Sequence, residues 1–176
     1  REHVLSHLDA DLFAVLPTHR NSSFQSEVVV TWLDSRSLDV QTFFDSVAPA
    51  WRSSAPGNHL GGLPGHDVGH GAFQLKDRWE CENIITAQES RHGHKYDYVG
   101  MGRADLLWLL PHPPLEPEGC WIPCQTNDYG GLCDHWAWCE RSSARIYMTA
   151  PILDIPTQTS SNKPMNTELH LKNSLK

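Results

Sequence analysis

The pattern of apolar and polar positions in the N-terminal part of the chain predicts two strands and a helix. The run over residues 11–16 is short and mostly apolar and is followed by Pro17, as is typical of a buried strand. The run from Glu27 to Trp32 is the strongest β-branched stretch in the chain and predicts a second strand. Apolar residues between Ser37 and Trp51 recur at nearly helical spacing and predict a helix.

A long helix is predicted from Ala72 to about His92, after a glycine-rich loop over residues 53–71. Apolar residues fall on two of its sides, with Leu75 on one and Ile85 on the other, which is typical of a helix buried between layers. A strand from Tyr96 to Val99 follows and is expected to be central. This alternation of strand, helix and strand favours an α/β domain with a mostly parallel sheet.

The C-terminal half is expected to complete one domain over residues 1–156, followed by a polar tail, 157–176, that can form a short helix. The predicted elements are an apolar run at Leu106–Leu110, a short strand at Trp121–Pro123, a helix starting over Ser142–Tyr147, and a last helix over Thr167–Leu175. No internal repeat is visible.

Charge and length exclude several classes of function. The 176 residues carry a net charge of −7 without a Lys/Arg cluster, so neither nucleic acid nor an anionic membrane is an expected partner. The longest apolar run, Leu106–Leu110, is far too short to span a bilayer. The chain opens on Arg1 without an initiator Met or a signal peptide, so a fragment of a longer protein is expected.

Five cysteines bear on the compartment. Four of them lie between Cys120 and Cys139 with a spacing that misses the tight pairs of a zinc ribbon, while Cys81 lies alone. Local disulfides in a secretory lumen, buried free thiols and metal ligation all stay open. We expect at least one disulfide in the cluster and a free, buried Cys81. The glycosylation sequon that begins at Asn21 fits a lumenal location.

Acidic residues concentrate between Tyr96 and Cys139. This segment holds six acids and one base, Arg103, for a charge of −5. Asp105 lies between a predicted strand and an apolar run, where an unpaired carboxylate would be costly. Two interpretations stay open: Asp105 pairs with Arg103, or it binds a ligand through Mg²⁺ or Mn²⁺, which prefer carboxylate oxygens.

A second candidate site surrounds Asp134, which follows Gly130 and Gly131 and precedes Trp136. Glycines allow close backbone approach, and an acid beside Trp and His is typical of the wall of a sugar site. The structural alternative is that Asp134 caps a following helix and that the tryptophans belong to the core.

Histidines suggest a third chemistry. His66 and His70 are four residues apart, but the glycines around them disfavour a helix, and the Glu of a zinc-protease motif is missing. The signatures of P-loop kinases, dinucleotide dehydrogenases and α/β-hydrolases are also missing from the sequence.

Several motifs occur in an order that resembles a group of glycosyltransferase-like proteins. They are Tyr96-Asp97-Tyr98-Val99, Arg103-Ala104-Asp105-Leu106, Trp121-Ile122-Pro123, Gly130-Gly131-Leu132-Cys133-Asp134 and Asn166-Thr167-Glu168. The resemblance covers roughly residues 9–175. The chain departs from the group at Met101, where an Arg is usual, and at Cys133, where an Asn is usual.

The resemblance implies a Rossmann-like (GT-A-type), mostly parallel sheet flanked by helices. It implies sugar transfer from a nucleotide-sugar donor to a glycan or protein hydroxyl in the Golgi or another secretory lumen. Arg103 and Asp105 would bind the donor, Asp105 through Mn²⁺ or Mg²⁺. Asp134 would be catalytic, and Trp136, Gly130 and Gly131 would bind the acceptor.

Two other functions stay open from the sequence. One is a non-catalytic lumenal domain, either carbohydrate-binding or a decayed transferase. The other is a zinc-dependent hydrolase that uses His66 and His70.

Overall fold

The computed structural model of the chain describes residues 10–16, 30–34, 40–49, 51, 70–103, 109, 111–112, 114, 118–123, 130–155 and 167–176. The strands in these ranges are β1 (Leu12–Leu16), β2 (Val30–Asp34), β3 (Tyr98–Gly102), β4 (Cys120–Trp121) and β5 (Trp136–Glu140). The helices are α1 (Val40–Val47), α2 (His70–His92), α3 (Arg141–Leu153) and α4 (Thr167–Ser174).

The described strands form two small sheets instead of one large one. β1 and β2 pair in parallel, with Leu12 opposite Val30 and Leu16 opposite Asp34. The other three strands form an antiparallel sheet in the order β3-β5-β4. The expected Rossmann-like (GT-A-type), mostly parallel sheet is therefore wrong, and the described chain is mixed helical with a small antiparallel sheet.

The difference arises from β5, whose residues Trp136 and Trp138 were expected to form the wall of a ligand site. Its alternation of large and small residues, Trp136-Ala137-Trp138, has the period of two that marks a strand. β5 lies between β3 and β4, so the strand expected to be central, Tyr96–Val99, corresponds to an edge strand of this sheet. Antiparallel strands need no crossover helix between them. The expected parallel sheet with crossover helices on its faces is therefore not formed by β3, β4 and β5.

Helix α2 connects two hydrophobic clusters through its two halves, whereas its two-sided pattern predicted a helix buried between layers. Its first half contributes Leu75 to a cluster with α1 and the end of α3, and its second half contributes Ile85 to a cluster beneath the antiparallel sheet. The first cluster contains Val40, Phe43, Phe44, Ala48, Trp51, Ala72, Leu75, Ile152 and Ile155. The second contains Ile85, Val99, Ala137, Cys139, Ala144, Tyr147, Met148 and Leu171.

The antiparallel sheet turns one face toward these helices. Val99, Ala137 and Cys139 point to that face and are buried in the second cluster. Successive residues of a strand point to opposite faces, so the tryptophans of β5 lie on the other side of the sheet. The helices therefore cover one face, and the chemistry of the second face is set by its aromatic residues.

The predicted disulfide is confirmed. Cys120 and Cys139 are bonded across β4 and β5, with 4.0 Å between their Cα atoms. Cys81 is free, as expected, and is partly buried, while Cys133 is free and buried. Cys124 lies outside the described residues, together with residues 53–69 of the glycine-rich loop, Asp105 and residues 156–166. His70 and Gly71, which were expected in that loop, begin α2.

The predicted helices at both ends of the described chain are present. α1 lies inside the range expected from the apolar spacing, and α4 covers all but the last residue of the expected C-terminal helix. α3 extends beyond the predicted segment, to Leu153. In the part of the chain that the structure describes, no helix has the length and apolar character needed to cross a membrane.

Candidate functional site

Three of the predicted site residues meet at one edge of the antiparallel sheet. β3 ends at Gly102, opposite Trp136 at the start of β5, so the residues after β3 and before β5 are neighbours. The N–H of Arg103 donates a hydrogen bond to the carbonyl oxygen of His135, over 3.1 Å. Arg103, Asp134 and Trp136 therefore share this edge, although they are distant in sequence. Asp105 lies outside the described residues.

Asp134 is a buried acid beside an accessible histidine. Its side chain is 5% exposed, and its Oδ1 lies 3.4 Å from Nε2 of His135, whose side chain is 41% exposed. The residues after Asp134 form β5, so the alternative that it caps a following helix is wrong. A buried carboxylate next to a solvent-accessible imidazole can orient that ring.

Two buried side chains, Arg78 and Tyr147, lie behind Asp134, and no sequence motif marks either of them as a site residue. Nη2 of Arg78 in α2 donates a hydrogen bond to the carbonyl oxygen of Asp134 over 3.3 Å. The guanidinium carbon of Arg78 lies 5.2 Å from the centroid of the Tyr147 ring, within the range of a cation–π interaction. No local pattern reveals this contact, because Arg78 precedes Asp134 by 56 residues.

This buried group contains polar atoms with no hydrogen-bond partner among the described residues, Nη1 of Arg78 and the hydroxyl of Tyr147. Burial is the main cause of a raised pKa of Tyr147, and the charge of Asp134 also raises it, while Arg78 acts to lower it. The phenol is therefore neutral at ordinary pH.

Gly130 and Gly131, predicted to bind an acceptor, lie against α4. The N–H of Leu132 donates to the carbonyl oxygen of Glu168 over 3.0 Å, and Nζ of Lys172 donates to that of Gly130 over 3.0 Å. A Cβ atom on Gly131 would overlap the backbone of Glu168. These contacts provide a structural reason for the glycine pair, and its role in acceptor binding stays a prediction.

Aromatic rings cover the face of the sheet that points away from the helices. The ring of Trp138 lies over Gly100, the residue opposite it on β3, and the ring of Trp136 lies over Gly102 in the same way. A Cβ atom on Gly100 would come within 2.6 Å of the Trp138 ring, so these flat contacts require glycine. The alternative that both tryptophans are core residues fits Trp138, which is buried, better than Trp136, which is partly exposed.

Further rings extend this surface in both directions. Tyr98 stacks on Trp138 with the ring planes 25° apart, and the imidazole of His112 lies 5.3 Å from the Trp138 ring centroid. Trp121 on β4 is paired with Trp138 and is 56% exposed. We call Tyr98, Gly100, Gly102, Trp121, Trp136 and Trp138 the aromatic face.

Among the described side chains, no three His, Cys, Asp or Glu residues come together as ligands for a metal ion. Two buried acids of α2, Glu82 and Glu89, are bound by Arg141 instead. The expected Mn²⁺ or Mg²⁺ therefore depends on Asp105, and the alternative zinc site depends on His66, which is also outside the described residues.

Comparisons with known proteins add no relative. No family matches the chain, and neither a curated protein nor a solved structure is found to be similar to it.

Proposed function

We propose that this chain is a glycosyltransferase-like domain that transfers a sugar from a nucleotide-sugar donor to a hydroxyl of a glycan or protein acceptor. One observation supports the proposal most: the antiparallel pairing of β3 and β5 brings Arg103 next to the Asp134–His135 pair and Trp136. A cation for a pyrophosphate, a base for a hydroxyl and a ring for a sugar then lie at one edge. The proposal no longer depends on a Rossmann-like sheet.

In this proposal Asp134 acts through His135. The carboxylate is too deeply buried to contact an acceptor, whereas the imidazole is accessible. The ring nitrogen of His135 that faces away from Asp134 accepts the proton of the acceptor hydroxyl. At the same time, the hydroxyl oxygen bonds to the anomeric carbon of the donor sugar. The bond from that carbon to the nucleotide breaks, and the nucleotide leaves with the electron pair. Asp134 holds the ring of His135 in place during this transfer.

Arg103 and Asp105 are proposed to hold the donor. A pyrophosphate would meet a segment that carries a charge of −5, so bringing it there requires positive charge. Arg103 supplies one cation, and a bound Mn²⁺ or Mg²⁺ held by Asp105 would supply the rest of the neutralising charge.

Binding and hydrolysis of a panel of nucleotide sugars, with and without Mn²⁺, test the proposal. Asp105→Asn should weaken Mn²⁺-dependent binding by at least about tenfold, roughly 1.4 kcal/mol, and still fold. Asp97→Asn is the matched control, because Asp97 is exposed and precedes the opposite end of β3. A wild-type protein that neither binds nor hydrolyses any donor would exclude the transferase.

The His135→Gln variant tests the catalytic pair separately from donor binding. We expect donor affinity to stay within about threefold while turnover falls by roughly 10²-fold or more, the usual contribution of a general base. Unchanged turnover would remove His135 from the mechanism and leave Asp134 as a structural acid.

A non-catalytic carbohydrate-binding domain is the second candidate function, favoured by the aromatic face itself. Such a domain would bind glycans without hydrolysing a nucleotide sugar, so the same assays separate the two. The Cys120–Cys139 disulfide supports a lumenal compartment, either the Golgi or another part of the secretory pathway, for both candidates. Thiol alkylation in freshly lysed cells, followed by peptide mapping, tests the location, because free thiols at both cysteines would contradict a lumenal compartment.

A further inference from the structure

We propose that the aromatic face binds a short, uncharged oligosaccharide, which is the acceptor of the proposed transferase. The inference deepens the proposed function by naming the acceptor class and its surface. In this proposal the acceptor binds at the outer face of the antiparallel sheet, which contains Trp136, and does not bind at Gly130 and Gly131. Four aromatic side chains contribute to this surface: Tyr98, Trp121, Trp136 and Trp138.

The backbone beneath the rings makes the face flat. Gly100 and Gly102 have no side chains, so the rings of Trp138 and Trp136 lie across β3 and do not stand away from it. A pyranose ring presents several C–H groups on one side, and these carry a small positive charge. The face of an indole ring is negative, so a sugar packs on it favourably. The exposed ring of Trp121 and the partly exposed rings of Tyr98 and Trp136 can pack on sugars in this way, whereas Trp138 and the imidazole of His112, which lies 5.6 Å from the Trp136 ring centroid, are buried.

The face is accessible at both sides of its centre. Trp121 is 56% exposed, and the backbones of Gly100 and Gly102 are also exposed. Trp138 is buried between Tyr98, His112 and its neighbours and therefore serves as the base of the surface. Gly102 and Trp136 are the chain neighbours of Arg103 and His135, so the aromatic face ends at the edge that contains the proposed catalytic pair.

The charges favour an uncharged ligand. The six residues of the aromatic face are all uncharged, and the acidic and basic side chains next to them, Glu140 opposite Tyr98 and Arg103 after Gly102, lie at opposite ends of β3. The imidazole of His112 is an ionisable group that contacts Trp136 and Trp138 directly. The chain as a whole carries −7, which repels polyanionic glycans over distances of about 8–10 Å in physiological salt. A neutral oligosaccharide meets no such repulsion.

The test measures binding of maltohexaose, cellohexaose, mannohexaose and a heparin hexasaccharide to the full chain by titration calorimetry. We expect saturable binding of at least one neutral probe, a loss of at least about tenfold in Trp121→Ala, and recovery to within about threefold in Trp121→Phe. Phe73→Ala is the matched control, because Phe73 is an aromatic residue of α2 that is 51% exposed and lies outside the sheet. Its binding should equal that of the wild type.

Three results would overturn the inference: no binding of any neutral probe, equal losses in Trp121→Ala and Phe73→Ala, or tighter binding of the heparin fragment. Nucleotide-sugar binding, measured on the same variants, keeps the two proposals apart. If the wild type binds a neutral probe through Trp121 but binds no donor, the transferase fails and the glycan surface stands. If donors bind and no glycan does, the transferase stands and this acceptor surface fails.

Discussion

At the scale of single residues, Arg141 forms the most extensive polar contacts in the described part of the chain. Its guanidinium donates to both oxygens of Glu82, over 2.9 Å each, and to both oxygens of Glu89, over 2.7 and 3.0 Å. Arg141 is the first residue of α3 and both acids belong to α2, so this group joins the two helices. The planar guanidinium suits two bidentate contacts.

Replacing Arg141 by Met should lower the free energy of unfolding by about 3–5 kcal/mol, because two buried carboxylates would lose their counter-charge. Arg145→Met, one turn further along α3 and exposed, is the control and should change stability by less than about 0.5 kcal/mol. Urea unfolding followed by tryptophan fluorescence measures both. Equal effects in the two variants would show that the contacts contribute nothing specific.

Acid should remove the stabilisation that Arg141 provides by binding Glu89. Burial acts to raise the pKa of Glu89, but hydrogen bonds from Arg141 and from the N–H of Tyr96 outweigh it and lower that pKa. The stabilisation is complete above the pKa of the unfolded chain, about 4.3, and is lost as the pH falls through the lower folded-state value. The difference between wild type and Arg141→Met should therefore shrink in that range.

Asp77 should have the opposite pH dependence. Burial is the main cause that raises the pKa of Asp77 to about 6, with Lys76 acting to lower it and Glu80 to raise it. Above that pH the folded protein holds a partly buried charge, so Asp77→Asn should be more stable than the wild type at pH 8. The gain should disappear as the pH falls from 6 toward 4. A gain that is independent of pH in urea titrations would contradict this cause.

Tyr147 has a buried hydroxyl without a partner among the described residues, so Tyr147→Phe should leave stability unchanged or raise it slightly. Tyr96→Phe provides the contrast, because the Tyr96 hydroxyl donates to Oδ2 of Asp11 over 2.6 Å. That variant should lose about 0.5–1.5 kcal/mol in thermal or urea unfolding. A larger loss in Tyr147→Phe than in Tyr96→Phe would mean that the Tyr147 hydroxyl is bonded in solution.

At the scale of elements, the contact between α4 and the glycine pair determines where the C-terminal helix packs. Gly131→Ala would place a methyl group in the backbone of Glu168, so α4 should move and expose Leu171, at a cost of about 2 kcal/mol or more. Lys172→Ala is the control, because it removes only the exposed hydrogen bond to Gly130. Hydrogen exchange of the α4 amides should rise in the first variant and stay unchanged in the second.

Elements with a strong local period could be predicted from the sequence, and their pairing could not. α2 and its two buried sides follow from the positions of Leu75 and Ile85 alone. β5 also has a period of two, but its tryptophans are equally typical of the wall of a ligand site. The strand order β3-β5-β4 could therefore not be predicted. The contact between Arg78 and Asp134 depends on the packing of α2 against the sheet edge, which no local pattern encodes.

At the scale of the whole molecule, the Cys120–Cys139 disulfide limits how far the unfolded chain can expand. The bond closes a loop with a sequence separation of 19, so its loss should cost roughly 3 kcal/mol. Replacing both residues by Ala tests this in urea unfolding, and Cys133→Ala, which removes a free thiol, separates bond loss from thiol loss. Peptide mapping of unreduced protein should find the linked pair. Free alkylation of both thiols without reductant would contradict the bond.

The direct junction of β5 and α3 affects how fast the aromatic face can bind. No residue separates Glu140 from Arg141, so Trp138 lies three positions before the residue that holds α2. A shift of the strand would strain the bonds to Glu82 and Glu89, so we expect the face to be preformed. Ligand association should then be a single bimolecular step, with an observed rate that rises linearly with glycan concentration and shows no plateau.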